Sequence, residues 1–429
     1  MNIKLPYSRD GMVLHLDQTL DYEILESAIA AMPESGKSGD EIVREAMAHP
    51  IGSPKLSELA AGKQKVVIIC SDHTRPVPSR HIIPFMLQEI RKGNPQADIT
   101  LLIATGFHRA TTKEELTGKF GEEIVRQEKI VVHDSSDMEA MTNLGTLPSG
   151  APLLVNQIAA RADLLVSEGF IETHFFAGFS GGRKSVLPGV SSRVTVLGNH
   201  CSAFIDSPYS RTGILEQNPI HKDMLAAAQM AKLAYIVNVV IDSDKKVVHA
   251  VAGSAAEAHA AGCRFLRQYC QVTPEKQADI AISTNGGYPL DQNMYQSVKG
   301  MTAAEAACKD GGMIIMVAAC GDGHGGEGFY QALKNCESPK ALMEEILKVP
   351  QDKTRPDQWE YQIQSRILMH HKVIYVMCEK YRSMAQEMGF QTASDVNEAL
   401  EMALQEKGRD AHIAIIPDGV SVMVQKPHE

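Results

Sequence analysis

No stretch of this 429-residue chain approaches the ~18–20 consecutive apolar residues of a spanning helix, which argues against a membrane protein. Its opening residues, MNIKLPYSRDGM, contain no apolar signal core, so the expected location is the cytoplasm. There is no basic run either. Lys plus Arg number 42 against 52 for Asp plus Glu, a formal net charge of −10, which disfavours nucleic acid and anionic membranes as partners. The eight cysteines are scattered with no C-x-x-C pair, disfavouring a thiolate zinc site or a dithiol motif. Cys70, Cys320 and Cys378 lie in apolar strands, and all eight read as structural.

What is present is the rhythm of an α/β protein. Short apolar runs at 65–70, 98–105, 162–169, 234–242, 278–284, 312–319, 373–377 and 413–416 alternate with amphipathic stretches such as 219–232 and 339–347. Runs apolar on both faces suit parallel strands covered by helices on each side. The expected fold is two α/β domains with mainly parallel sheets. The polar break at 271–277 places their boundary, giving an N-terminal domain over 1–272 and a C-terminal domain over 273–429.

In open parallel sheets the ligand lies beyond the strand C-termini, so the residues after each run matter most. Cys70 is followed by Ser71-Asp72-His73-Thr74-Arg75, Thr105 by Gly106-Phe107-His108-Arg109, Gly169 leads to Glu172-Thr173-His174, and Thr284 to Asn285-Gly286-Gly287. One active-site rim accounts for all four. Gly178–Ser185 approaches the phosphate-loop pattern G-x-x-x-x-G-K-[ST] but has Arg183 where the second Gly belongs, which weakens a nucleotide-hydrolase reading. Gly181, Gly182, Arg183 and Lys184 nonetheless offer backbone N–H groups and positive charge for a phosphate-bearing ligand. Gly321–Gly326 matches G-x-G-x-x-G, yet no strand with an acidic residue about 20 positions on follows, so it reads as a tight loop.

A short helix over 291–299 is expected to end at Gly300, with Thr302 and Glu305 boxing the next one. Tyr295, Gln296 and Lys299 share one rim of it, and a phenol, an amide and an ammonium together suit a carboxylate ligand; a solvated helix face is the alternative. His108 and His174, delivered by separate strand ends, suit a pair exchanging acid and base roles near neutral pH. His200 follows the Gly-rich loop as a candidate metal ligand. His370 and His371 read as packing or capping residues.

These motifs, Ser71–Pro78, Ala104–His108, Ser167–Glu172, His174–Gly189, Ile282–Gln292, Asp322–Tyr330 and Ile416–Gly419, occur in fixed order over nearly the whole chain. Together they resemble the lactate racemase family of nickel-pincer-nucleotide-dependent 2-hydroxyacid racemases. The resemblance implies a pyridinium mononucleotide carrying a thioamide and a thiocarboxylate, joined covalently to Lys184 and holding nickel, with His200 as a further nickel ligand. It implies His108 and His174 as the acid/base pair and Arg75, Tyr295, Gln296 and Lys299 as carboxylate contacts. It also implies Asp72, Thr74 and Gly182 at the cofactor, and a site in the interdomain cleft. The chemistry implied is interconversion of the enantiomers of lactate or a related small 2-hydroxy acid by hydride transfer, through a bound 2-oxo acid. Cofactor-synthesis and nickel-insertion enzymes are the implied maturation partners. A phosphate-loop hydrolase, a racemase or epimerase of another 2-hydroxy acid and a non-catalytic cofactor carrier are the alternatives.

Overall fold

The computed structural model describes residues 1–32, 36–242 and 244–426. Two six-stranded sheets organise the chain. Their strands are β1 (Asp21–Ile24), β2 (Lys65–Ser71), β3 (Asp98–Ala104), β4 (Lys129–Val132), β5 (Leu164–Phe170), β6 (Leu233–Ile241), β7 (Val247–Gly253), β8 (Ala278–Thr284), β9 (Cys308–Val317), β10 (Lys372–Val376), β11 (Gln391–Ala393) and β12 (His412–Ile416). The first sheet runs β7-β6-β5-β2-β3-β4 and the second β11-β10-β9-β8-β12-β1. Every neighbour pair in them is parallel except β6 with β7. The α/β expectation, with two largely parallel sheets, therefore holds.

The central strands explain themselves. In β2 the run Val66–Cys70 is buried throughout, and β5 is buried at every residue, as strands sandwiched between helix layers must be. Each sheet reverses its strand order once, between β2 and β5 in the first and between β8 and β12 in the second. Crevices at such reversals are where open α/β sheets bind ligands. One difference from the expected division concerns the start of the chain. Strand β1, counted with the first domain, pairs in parallel with β12 and closes the edge of the second sheet. Four residues of alternating, half-buried character are too weak a pattern to show that pairing in advance.

Three helices position the site: α1 (Arg193–Asn199), α2 (Met294–Ala307) and α3 (Gln358–His370). The two short helices expected around Gly300 are one continuous helix, α2. Gly300 does not end it. The glycine instead permits close approach to β8: a Cβ there would lie 2.3 Å from the Thr284 carbonyl oxygen. The Gly300 N–H donates to Asn285 Oδ1 at 2.9 Å and its carbonyl accepts from Ser283 Oγ at 2.8 Å. The Thr302 hydroxyl caps nothing and donates back to the Lys299 carbonyl at 2.7 Å. The Gly321–Gly326 loop is likewise a structural device. Its Gly323 and His324 carbonyls accept from the Met294 and Tyr295 N–H groups, both at 3.0 Å, and so hold the first turn of α2.

A pair of substitutions checks the reading of Gly300. Gly300→Ala should destabilise the fold by about 2–4 kcal/mol, since the backbone it strikes cannot give way. Gly118→Ala, in an exposed helix with open space around it, should stabilise by about 0.5–1 kcal/mol. Denaturant midpoints of the two variants against the parent measure both.

Candidate active site

A cavity of about 740 Å³ opens between the ends of the two sheets. Asp72, Thr74, Arg75, His108, His174, Lys184 and His200 line it from the first half of the chain, and Tyr295, Gln296 and Lys299 from the second. Gly182, expected at the cofactor, turns away: its N–H donates to Asn238 Oδ1 at 2.7 Å, and a Cβ there would strike His259.

The loop after β2 orients His108. Asp72 is buried, and its Oδ2 lies 2.6 Å from His108 Nδ1 while its Oδ1 accepts from the Thr74 hydroxyl at 2.7 Å. Burial alone would raise this carboxyl. The hydrogen bonds from His108 and Thr74 outweigh it, so Asp72 is held below the usual carboxylate range. Asp72 and Thr74, expected at the cofactor, thus spend these bonds on His108. The His108 Nδ1–H points at a carboxylate, which leaves Nε2 as the nitrogen with a free lone pair.

His174 is wired the opposite way. Its Nδ1 accepts the Ala177 N–H at 3.3 Å, so the neutral ring carries its proton on Nε2. The ring is stacked on Phe175 and edge-on to Phe176, at centroid distances of 5.1 and 4.5 Å. Burial first, then the nearby charges of Lys184, Lys299 and Arg75, hold His174 well below the ordinary imidazole value.

Lys184 sits on the single turn Gly182–Ser185, which no long helix continues, so the strand–loop–helix frame of a phosphate loop is missing. Arg183, expected to add charge to the ligand, is buried beneath that turn. Its guanidinium donates to the Ala177 and Phe179 carbonyls at 2.7 Å each and to His221 Nδ1 at 3.0 Å. Lys184 points the other way, half-buried, with its Nζ 5.8 Å from the Phe176 ring centre and no hydrogen bond or ion pair to its amine among the described residues. Burial, followed by the charges of Arg183 and Arg75, pulls its ammonium well below the usual lysine range. That shift favours the uncharged amine, the form that attacks electrophilic carbon.

His200 ends α1. Phe176 and Trp359 pack edge-on against its ring, each at a centroid distance of 5.1 Å. Its Nδ1 is buried without a hydrogen-bond partner, and burial, with Lys184 nearby, pulls the ring down to about 3. A neutral imidazole with an unused nitrogen is a metal donor in waiting. Across the cavity, Lys299 Nζ donates to Gln296 Oε1 at 2.7 Å.

Several lining residues escaped the sequence reading, chiefly Trp359 and Glu360 at the start of α3. Glu360 is fully buried, its Oε2 has no partner among the described residues, and burial pushes its carboxyl up to about 8. The signal was masked because α3 buries Gln358, Glu360, Gln362, Gln364 and Ser365, which hides the apolar period of an ordinary helix. Glu168 is a second case, its Oε1 accepting from the Ser71 and Ser79 hydroxyls at 2.8 and 3.0 Å to brace the loop after β2.

Fold and site together define an α/β protein whose inter-sheet cavity combines paired imidazoles, a reactive amine and an anion-binding rim. Comparison with known proteins narrows this to one family. Residues 7–213 match the lactate racemase N-terminal domain and 273–424 the lactate racemase C-terminal domain. The chain is 54% identical over 425 residues to the lactate racemase of Thermoanaerobacterium thermosaccharolyticum, covering 99% of each protein. It is 51% identical over 423 residues to that of Lactiplantibacillus plantarum, again covering 99% of each. The structure of the Thermoanaerobacterium lactate racemase apoprotein superposes with a TM-score of 0.95 at 53% identity, over 99% of this chain and 100% of that one. A Thermotoga maritima protein shares the fold at 18% identity, with a TM-score of 0.65 over 92% of this chain and 100% of its own. This chain belongs to the lactate racemase family.

The buried neutral histidines make acid stability a test of the site's electrostatics. His174, His200, His221 and His259 are all held below the ordinary imidazole value in the folded chain, so only the unfolded chain takes up their protons near pH 6.5. Stability from these groups is complete above that pH and is lost as pH falls below it, by up to ~1.4 kcal/mol per pH unit for each fully buried ring. Unfolding free energy measured from pH 8 to 5 should therefore drop before carboxylates titrate, and less steeply in a His259→Asn variant.

Proposed function

We propose that this chain racemises lactate, interconverting its D and L forms in the cavity between the two sheets, with a nickel-pincer nucleotide bound through Lys184 and His200. The observation that carries the reading is the convergence on one cavity of two oppositely wired imidazoles, the unpartnered amine of Lys184 and the polar side chains of Tyr295, Gln296 and Lys299. The unpartnered amine of Lys184 suits a covalent link to the nucleotide, and the unused buried nitrogen of His200 suits nickel. When bound, the cofactor supplies a cationic ring that reversibly accepts hydride.

The chain's own residues do the rest. Arg75 and Lys299, with Tyr295 and Gln296, bind the substrate carboxylate and fix C2 in place. His108 Nε2 takes the hydroxyl proton of one enantiomer as the C2 hydrogen departs with its electron pair, leaving a bound 2-oxo acid. Asp72 stabilises the imidazolium that results. His174 serves the opposite enantiomer. As an imidazolium it gives its Nε2 proton to the 2-oxo oxygen while hydrogen returns to C2, and in the reverse direction the neutral ring, its proton moved to Nδ1, takes the hydroxyl proton at Nε2. The desolvated walls keep solvent from the bound 2-oxo acid until hydrogen returns to its other face. No helix among the described residues is long and apolar enough to cross a membrane, and we place the protein in the cytoplasm with the enzymes that build its cofactor and insert nickel.

Two variants separate proton transfer from binding. Asp72→Asn should lower kcat by roughly 10²-fold with little change in KM, because His108 loses the charge that supports its protonation. Arg75→Ala should mainly raise KM, by roughly 10–150-fold, for the loss of a charge-assisted contact of about 1.5–3 kcal/mol. Steady-state kinetics on the matured protein distinguish the two.

Racemisation in deuterated water tests the mechanism against its rival, proton abstraction at C2. A C2–H beside an ionised carboxylate is so weakly acidic that an imidazole faces a large uphill transfer. Product should carry almost no deuterium at C2, and lactate labelled at C2 should keep its label. Extensive solvent deuterium at C2 after one turnover would overturn the hydride reading.

A further inference from the structure

A second cavity, of about 890 Å³, lies along the seam between the two halves of the chain and shares only Phe175 with the reaction cavity. Its charge is unusual for a protein with a net charge of −10. Glu305 and Asp310 are the acids on its wall, and both are already engaged. Glu305 accepts from Arg366 Nε and Nη2, both at 2.7 Å, and Asp310 lies 2.9 Å from His370 Nδ1.

That leaves Arg211, Arg267 and Lys426 on the wall with no carboxylate partner among the described residues. Arg211 has only the Ser207 and Ser210 carbonyls, each 2.9 Å from Nη1, and Arg267 has the Gly213 carbonyl at 2.6 Å from Nη2. His371 adds a second, independent observation. The residue is 7% exposed, it lines the same cavity, and its Nδ1 is buried with no hydrogen-bond partner. Burial first, then the neighbouring Arg366, pull Arg211 down to about 10, against the opposing pull of Glu305 and Asp206. Gathering unpaired cations beside an orphaned ring nitrogen in a seam costs free energy that a bound anion recovers.

We propose that this cavity binds a small phosphate-bearing molecule, gripped by Arg211 and Arg267 from the first half of the chain and by Lys426 and His371 from the second. Multivalent charge fits three cations better than a single carboxylate does, and phosphate oxygens accept from both guanidinium and imidazole N–H groups. The halves touch at the cavity rim, where a Cβ on Gly213 would lie 1.7 Å from Met423 Sδ. A ligand here ties the two halves together at a distance from the reacting groups.

Calorimetric titration with inorganic pyrophosphate at fixed ionic strength tests this. The full chain should carry Arg75→Ala, Lys184→Gln and Lys299→Ala, which remove the cations of the reaction cavity. Saturable one-to-one binding should persist in that background. It should weaken at least tenfold on adding Lys426→Gln, an exposed change that leaves folding intact, and at least as much on adding Arg211→Gln. Should the Arg211 variant fail to fold, Lys426→Gln decides alone. Absence of saturable binding in the background, or unchanged affinity with Lys426→Gln, overturns the proposal.

Discussion

Desolvation of charge in the cavity between the sheets is the constraint from which the rest of the site follows. Arg75, Lys184 and Lys299 line one poorly hydrated cavity, and each disfavours the protonation of neighbouring groups. Lys184 is pulled toward its uncharged amine, and His174 and His200 toward neutral imidazole. Acids respond in the opposite sense. Glu172, Asp357, Glu360 and Asp418 are all raised, by burial before any other cause. Charges of both signs are thus pushed toward neutrality, which suits a site that must admit an anionic substrate and a cationic ring. Asp72 is the exception. It keeps its charge because His108 and Thr74 both point hydrogen-bond donors at it.

Holding an unpaired amine in such a place needs a rigid support, and Arg183 provides it from below. Its buried guanidinium binds carbonyls of the hairpin that carries His174 and the turn that carries Lys184, so one residue fixes both. Burying that charge is tolerable because its donors meet acceptors, including His221 Nδ1, whose ring is held below the ordinary imidazole value by burial and by Arg183 itself. The same charge lies one residue from Lys184 and helps strip it of its proton. Support and activation come from a single side chain.

Much of this was legible in the sequence because parallel strands buried on both faces announce themselves as apolar runs, and the residues at their ends then mark the rim. His108, His174, Lys184 and His200 could be named on that basis and by resemblance. What stayed hidden has physical reasons. Gly300 reads as a helix stop because nothing local reveals that β8 passes within contact distance of α2. Arg183 reads as a charge offered to the ligand because its six-residue reach back to Ala177 is a tertiary fact. Trp359 and Glu360 are lost in a helix whose buried face is polar, since amphipathic period is the only sequence signal such a helix has. Strand β1 is too short to declare its partner.

Neither sheet contains the site. The reversal of strand order in the first presents His108, His174 and Lys184, and the reversal in the second presents α2 with Tyr295, Gln296 and Lys299. Contact between them is direct at His200, whose ring is held between Phe176 of the first half and Trp359 of the second. The metal-donor nitrogen is therefore oriented by both halves at once. The apolar core supports this arrangement, because one continuous cluster runs from Val67 and Phe179 through Met294 and Val298 to Met423. A displacement of either half moves the substrate carboxylate relative to the histidines and tilts His200 as well. Loss of alignment by about 1 Å is enough to cost two orders of magnitude in rate. Packing at the seam thus sets the relative positions of the cavity-lining side chains as well as adding stability, and it explains why the cavity walls are built from large rings whose positions few rotamers can change.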